Sequence, residues 1–144
     1  MNKWLPFALA PLVLGSLCLA PCLPHDLHQL QLRREYRLLL HPVPSREIAF
    51  AADMGLLEGN GNHCDYFVGE LRTTRLTREQ LRASYVSEVE VELLEHPVTA
   101  PSYVSSPRDR LLLAASRATP RPGESFYLVA MVEQQQAGLD FRCH

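Results

Sequence analysis

The stretch Gly59-Asn60-Gly61-Asn62-His63-Cys64-Asp65-Tyr66 lies between two apolar segments and holds the sharpest turn signal in the chain. An Asn-Gly pair in this setting is typical of a β-hairpin, because a type I′ turn needs positive φ at both central residues. Asparagine tolerates that conformation and glycine adopts it without steric cost. The stretch therefore predicts a hairpin of two strands, at roughly 47–73, that turns at Asn60-Gly61.

A turn at Asn60-Gly61 determines which residues face each other across the hairpin. It places Glu58 opposite His63. It also places Leu56 opposite Asp65. One face of the hairpin then carries apolar or small residues from both strands: Ile48, Phe50, Ala52, Met54, Leu56, Phe67, Gly69 and Leu71. The intervening residues Cys64, Tyr66 and Val68 point to the other face, so we expect both faces to be covered.

Alternating apolar residues predict a strand before the hairpin. Apolar side chains occupy even positions there, at Leu30, Leu32, Tyr36, Leu38 and Leu40. This alternation favours a strand. Most residues of the segment are also good helix formers, so a helix from Leu27 to about Tyr36 is the alternative.

Downstream, a capping-box pattern at Thr77 and Gln80 predicts a short helix at about 78–85. Residues 87–93 alternate like a strand with one wet face, and 126–132 are apolar on both faces, which suits a central strand. Residues 107–118 fit a helix capped by Ser106 or, on the interpretation we favour, a strand. Residues 139–143 are predicted to form a short final strand.

Composition points to one folded domain. The chain has 144 residues, of which 47% are hydrophobic and 21% charged, with a formal net charge of −2. A nucleic-acid-binding domain normally presents a basic surface, so we expect no nucleic-acid partner. Without its N-terminal segment the chain has enough residues for one hydrophobic core and too few for two.

The N-terminal segment has the pattern of a secretory signal. Lys3 precedes an almost wholly apolar run from Trp4 to Ala20, interrupted by two prolines. A retained membrane anchor is the alternative, although the run is barely long enough and the prolines weaken it. We therefore expect residues 1–22 to be a signal peptide and residues 23–144 to form a single globular domain in the periplasm, the cell envelope or the medium.

The processing site leaves two alternatives open. Leu19-Ala20-Pro21-Cys22 resembles a bacterial lipobox, in which the cysteine becomes the acylated first residue, but Pro21 stands where that motif has a small residue. A cut after Ala20 would leave three cysteines, an odd number for an oxidising compartment. Lipidation of Cys22, or a cut just beyond it, would leave the even pair Cys64 and Cys143.

Cys64 and Cys143 are predicted to form a disulfide bond. Two cysteines that remain in an exported chain normally pair, and closing so long a loop constrains the unfolded chain by up to ~4 kcal/mol. A metal site that adds the neighbouring His63 and His144 is the competing hypothesis. Adjacent residues of a strand point to opposite faces, so His63 and Cys64 rarely bind one ion. We expect no metal and no cofactor.

The hairpin also holds the candidate functional residues: Glu58, Asn60, Asn62, His63 and Asp65. A histidine with a carboxylate neighbour is the orienting half of a hydrolytic triad. No serine lies in a glycine-flanked elbow that would supply the nucleophile, and Cys64 is assigned to the disulfide. We therefore predict no catalytic residue and a supporting role for His63.

Taken together, the patterns predict an α+β fold with a mostly antiparallel sheet of five to six strands, one or two short helices on one face, and one disulfide. The expected function is a non-catalytic binding or accessory domain, of which an immunity or inhibitor protein is one example. Its partner would be a protein or another envelope component, with lipid-anchored membrane association if Cys22 is acylated. The alternative is a small hydrolase or metal-dependent enzyme using His63 and Asp65.

The first prediction concerns Cys22. We expect the exported protein to begin at this residue and to carry a lipid on it, because of the lipobox resemblance and the cysteine parity. The intact mass of the membrane-associated protein measures this directly. An unmodified N-terminus beginning after residue 22 would exclude lipidation of Cys22 without contradicting export.

Overall fold

The computed structural model describes residues 22–57, 62–86 and 88–143. The helices and strands, in chain order, are α1 (Leu23–Arg37), β1 (Ser45–Gly55), β2 (His63–Thr74), α2 (Arg78–Ala83), β3 (Glu90–Leu93), α3 (Pro107–Arg117) and β4 (Ser125–Gln136). A single 3-10 turn, Phe141–Cys143, follows β4. No helix in these described ranges is long and apolar enough to cross a membrane.

The four strands form one antiparallel sheet in the order β1-β2-β4-β3. Helix α1 packs on one face of the sheet, where Leu32 and Tyr36 join a core cluster with Tyr66 and Val68. Helix α3 packs on the opposite face through Leu111 and other buried residues. The predicted α+β class and antiparallel sheet are confirmed. In the described residues, the sheet has four strands instead of five to six, and three helices lie on its two faces, where one or two helices on one face were expected.

The predicted hairpin exists, but its register differs by one residue. Gly55, and not Leu56, lies opposite Asp65, and an irregularity in the pairing falls between Glu47 and Ala49. Ala52 and Met54 consequently share a face with Tyr66 and Val68, whereas Phe67 and Leu71 belong to the other core cluster. The predicted turn at Asn60-Gly61, with Glu58, lies outside the described residues.

The strand expected around residues 30–40 is wrong, because residues 30–37 belong to helix α1 and residues 38–40 lie in the loop after it. Pro24 lies in the first turn, where its missing N–H costs no helical hydrogen bond. The buried positions of the helix recur every three or four residues, at His25, Gln29, Leu32 and Tyr36. The alternation arose because Leu32 and Tyr36 face the core while Leu30 and Leu38 point away from it.

The strand favoured for 107–118 is also wrong, because the segment forms helix α3. The Ser106 hydroxyl accepts from the backbone N–H of Asp109 while the Asp109 carboxylate accepts from the Ser106 N–H, a complete capping box. Helix α2 is confirmed with its capping box at Thr77 and Gln80. The expected final strand is the 3-10 turn, because its residues pair with no strand of the sheet.

The two faces of α1 predict unequal effects of truncating a leucine. Leu32 is 1% exposed, so Leu32→Ala should leave a cavity and lower the free energy of unfolding by about 2–5 kcal/mol. Leu27, on the same helix, is exposed, and Leu27→Ala should change it by less than about 0.5 kcal/mol. Urea unfolding of both variants measures the difference. Equal losses would mean that α1 is rotated from the orientation described.

Candidate functional site on the outward face of helix α1

Two of the predicted hairpin residues, His63 and Asp65, are in contact. His63 Nε2 lies 3.1 Å from Asp65 Oδ1, and Asp65 Oδ2 accepts a 2.9 Å hydrogen bond from the Leu57 N–H. The Asp65 side chain is buried and His63 is partly exposed. In the described parts of the chain, no hydroxyl or thiol hydrogen-bonds His63, so the pair orients an imidazole without a nucleophile beside it.

The remaining hairpin candidates do not join this pair. Asn62 is exposed, and its carbonyl accepts a 3.1 Å hydrogen bond from the Ala137 N–H. Glu58 and Asn60 lie outside the described residues. The five candidates therefore do not assemble into one described site.

The disulfide bond between Cys64 and Cys143 is present, as predicted. Both residues are fully buried, and their Cα atoms are 4.8 Å apart. The bond joins β2 to the 3-10 turn, so it holds the last described residues against the α1 face of the sheet. The same bond removes Cys64 as a thiolate ligand or nucleophile.

One group of metal-ligating types occurs in the described residues, at His25, Cys64 and Asp140. Their ligand atoms lie within 4.8 Å of one another, but each is already engaged. Cys64 is in the disulfide, Asp140 binds Arg142, and the two ring nitrogens of His25 contact the Tyr66 hydroxyl and a backbone carbonyl. His25 and Asp140 are therefore part of a structural hydrogen-bond network, and Cys64 is held by its disulfide bond.

Arg142 is the centre of that network. Its Nε and Nη2 donate to the two Asp140 carboxylate oxygens at 2.9 and 2.6 Å, and its Nη1 donates to Asp26 at 2.8 Å. Nη2 also donates to the Cys22 carbonyl at 3.2 Å. Asp140 is fully buried, so its charge requires this pairing. Arg142 thus joins the C-terminal turn to the first turn of α1.

Two histidines of α1 add further contacts with the sheet. His25 Nε2 lies 3.2 Å from the Ala137 carbonyl oxygen, and its Nδ1 contacts the Tyr66 hydroxyl. His28 Nε2 lies 2.7 Å from a carboxylate oxygen of Glu133 in β4. Because these contacts come from one side of the helix, they fix its rotation about its own axis. That rotation decides which residues of α1 face solvent.

Cys22 lies beside the same network. Its side chain is buried, and Sγ is 3.7 Å from Asp140 Oδ1. Burial, together with the nearby Asp140 carboxylate, raises the pKa of the Cys22 thiol above its usual range. A lipid on this sulfur would require the side chain to leave the contact with Asp140. Lipidation of Cys22 stays a prediction.

The outward side of α1 carries a second row of apolar side chains, which we call the leucine stripe. It consists of Leu23, Leu27, Leu30 and Leu38, which are between 56% and 74% exposed. At about 100° per residue, these positions and Arg34 fall within an arc of about 80°. The arc lies opposite the buried row, so α1 is apolar on both sides.

Further exposed apolar side chains follow the leucine stripe along the chain. Leu40 and Val43, in the loop after α1, are almost fully exposed. Half of the exposed large hydrophobic side chains in the described ranges lie between Leu23 and Val43. Burying one leucine side chain is worth about 1.5–3 kcal/mol, so a row of uncovered leucines marks a surface that gains by contact with another apolar body.

An alternative near the sheet is an open depression of about 540 Å³ along β3. Its charged side chains are three arginines and three glutamates: Arg78, Arg82, Arg108, Glu90, Glu92 and Glu95. Arg108 is ion-paired with Glu92, and the charges of the six residues cancel. The depression therefore offers no net field to select a charged ligand, and we take the leucine stripe as the candidate site.

Comparisons with models of known protein families, with curated proteins and with solved structures found no match to this chain.

The sequence contains a signal for this site that the strand interpretation conceals. Leu23, Leu27 and Leu30 are spaced four and three residues apart, the spacing of one helical face. Interpreted as a strand, the segment has Leu30 and Leu38 on the same face as Leu32 and Tyr36, and this grouping conceals the helical spacing. Only the contacts of the helix separate the two rows.

The pairing of Asp140 predicts a dependence of stability on pH. Hydrogen bonds from the Arg142 side chain lower the pKa of the Asp140 carboxyl to about 2, below the value of about 3.9 in an unfolded chain. A lowered folded-state pKa contributes stability above the unfolded value, and this is lost as pH falls through the folded value. Asp140→Asn should therefore cost about 2–3 kcal/mol at neutral pH, and the cost should shrink between pH ~4 and ~2.

Urea unfolding of the oxidised protein across this pH range measures the effect. Asp53→Asn is the matched control, because Asp53 pairs with Arg110 at the surface and should contribute less than about 1 kcal/mol. A cost for Asp140→Asn that stays constant down to pH ~2 would show that the Arg142 pairing is not its source.

Proposed function

We propose that this chain is an exported, non-catalytic binding domain that attaches to a component of the cell envelope through the leucine stripe. The observation that carries the proposal is the row of exposed leucines on the side of α1 that faces away from the sheet. A helix that is apolar on both sides is normally covered on both sides. The sheet covers one side of α1, and the binding partner would cover the other.

Export is supported by two independent features. The apolar run Trp4–Ala20 follows a basic residue, as in a secretory signal. The buried disulfide between Cys64 and Cys143 is of the kind that persists in oxidising compartments. An immunity or inhibitor protein acting on another exported protein would belong to the same class of binding domain.

The alternative, a hydrolase or metal-dependent enzyme using His63 and Asp65, is less well supported. These two residues are in contact, but the cysteine beside them is consumed by the disulfide. Hydrolytic catalysis needs an activated nucleophile within hydrogen-bond reach of the imidazole. A structural role in the sheet accounts for the pair without such a group.

Site-specific crosslinking tests the proposal. A photoreactive amino acid at position 30 should give adducts with an envelope component in intact cells, several-fold above the yield at position 103. Tyr103 is the matched control, because it is exposed and lies in the loop leading into α3, the helix that packs on the other face of the sheet. Leu27→Glu should reduce the adducts at position 30, whereas His63→Ala should leave them unchanged.

Two results would contradict the proposal. Equal adduct yields at positions 30 and 103 would mean that the leucine stripe is not a binding surface. A substrate whose turnover is abolished by His63→Ala, in a variant that remains folded, would establish the enzyme alternative instead.

A further inference from the structure

We infer that the component bound by the leucine stripe is the membrane itself, with α1 lying in the headgroup region of an anionic lipid surface. This inference rests on the proposed function and names its partner. Three observations carry it: where the apolar N-terminal run ends, which charges surround the stripe, and how the helix is held.

The first observation is the short distance along the chain between the apolar run and the helix. The run Trp4–Ala20 ends two residues before Cys22, and α1 begins at Leu23. An extended chain spans at most about 3.6 Å per residue, so anything that holds the run or Cys22 in a bilayer keeps the first turn of α1 within about 10 Å of it. Leu23, the first residue of the stripe, is in that turn.

The second observation is the sign of the charges beside the stripe. Arg34 lies within it and Arg37 follows one turn later, and neither pairs with an acidic side chain in the described ranges. Of the nearby carboxylates, Asp26 pairs with Arg142, whereas Glu35 accepts a 2.8 Å hydrogen bond from the neutral Gln31 amide and keeps its charge. Arg34 and Arg37 outnumber Glu35, so the net charge along this side of α1 is positive, which suits anionic headgroups.

The third observation is that the helix cannot turn its leucines inward. Its opposite side is held by His25 on Tyr66, by His28 on Glu133 and by Asp26 on Arg142. A helix held with apolar residues and arginines facing outward has the pattern of one that lies in the plane of a membrane interface. Leu40 and Val43, in the loop after the helix, are exposed apolar residues as well.

The depth of the stripe in a bilayer can be measured directly. The full chain is synthesised in vitro under oxidising conditions with vesicles of phosphatidylcholine and phosphatidylglycerol that contain lipids nitroxide-labelled on the acyl chain. An environment-sensitive fluorescent amino acid is placed at position 30 or, as a matched control, at position 103. We expect quenching several-fold stronger at position 30, because only this position would reach the acyl boundary.

Two substitutions distinguish membrane contact of the leucine stripe from attachment through the residues that precede it. With the probe at position 30, Leu27→Glu should reduce quenching towards the level at position 103. Arg34→Glu should reduce quenching on vesicles with phosphatidylglycerol more than on phosphatidylcholine alone. Tyr103→Glu should change neither. Because Leu27, Arg34 and Tyr103 are exposed, the domain should keep its circular dichroism and unfolding midpoint.

Equal quenching at positions 30 and 103, or no association with the vesicles, would overturn the inference. If position 30 still gave adducts with a protein in cells, the proposed binding function would stand with a protein partner. If those adducts joined two copies of this chain, the partner would be a second copy. Absence of both quenching and adducts would overturn the inference and the proposed function together.

Discussion

The bidentate pairing of Arg142 with the buried Asp140 is the interaction on which the arrangement of this end of the protein depends. A fully buried carboxylate is costly unless it is paired, and Arg142 supplies two hydrogen bonds to it. The same guanidinium reaches Asp26 and the Cys22 carbonyl at the start of α1. One side chain therefore links two segments that lie at opposite ends of the described chain.

The disulfide makes this link possible. Cys143, the residue after Arg142, is bonded to Cys64 in β2, so the turn that carries Arg142 is held on the sheet. Without that bond, a turn of three residues would have little buried surface to hold it in place. The covalent bond positions the turn, the turn positions Arg142, and Arg142 positions the first turn of α1.

The orientation of α1 has a functional consequence, because the helix carries two apolar rows. Folding of the domain covers only the row that contains Leu32 and Tyr36. The contacts of His25, His28 and Asp26 keep the other row outside, where water makes its exposure unfavourable. A domain that holds leucines outward in this way is suited to contact with a second apolar body, and the proposed binding function rests on this feature.

The His63–Asp65 pair illustrates the limit of a chemical motif taken alone. The two side chains are in contact, as the histidine and carboxylate of a hydrolytic triad are. The sulfur of the adjacent Cys64, however, is bonded to Cys143. A carboxylate beside an imidazole also occurs as ordinary support of a strand. A hydrolytic triad also needs a nucleophile, and the disulfide removes the Cys64 thiol, which is the nucleophilic group adjacent to this pair in the sequence.

Several features that depend on local chemistry could be predicted from the amino-acid sequence alone. Asn60-Gly61 between apolar runs predicted a hairpin, Thr77 and Gln80 predicted a capped helix, and cysteine parity predicted the disulfide between Cys64 and Cys143. Each rests on residues whose preference holds in almost any surroundings: a turn dipeptide, a capping box, or two thiols in an oxidising compartment.

The secondary structure of the leucine-rich segments, and the side of α1 that faces solvent, depend on packing in the tertiary structure. Apolar residues at these even positions can form one face of a strand or two opposite rows of a helix, so packing against the sheet determines which structure holds. The register of the hairpin likewise follows from pairing along the whole of β1 and β2. The Arg142–Asp26 contact joins residues 116 positions apart, and no local pattern in the sequence records a contact at that distance.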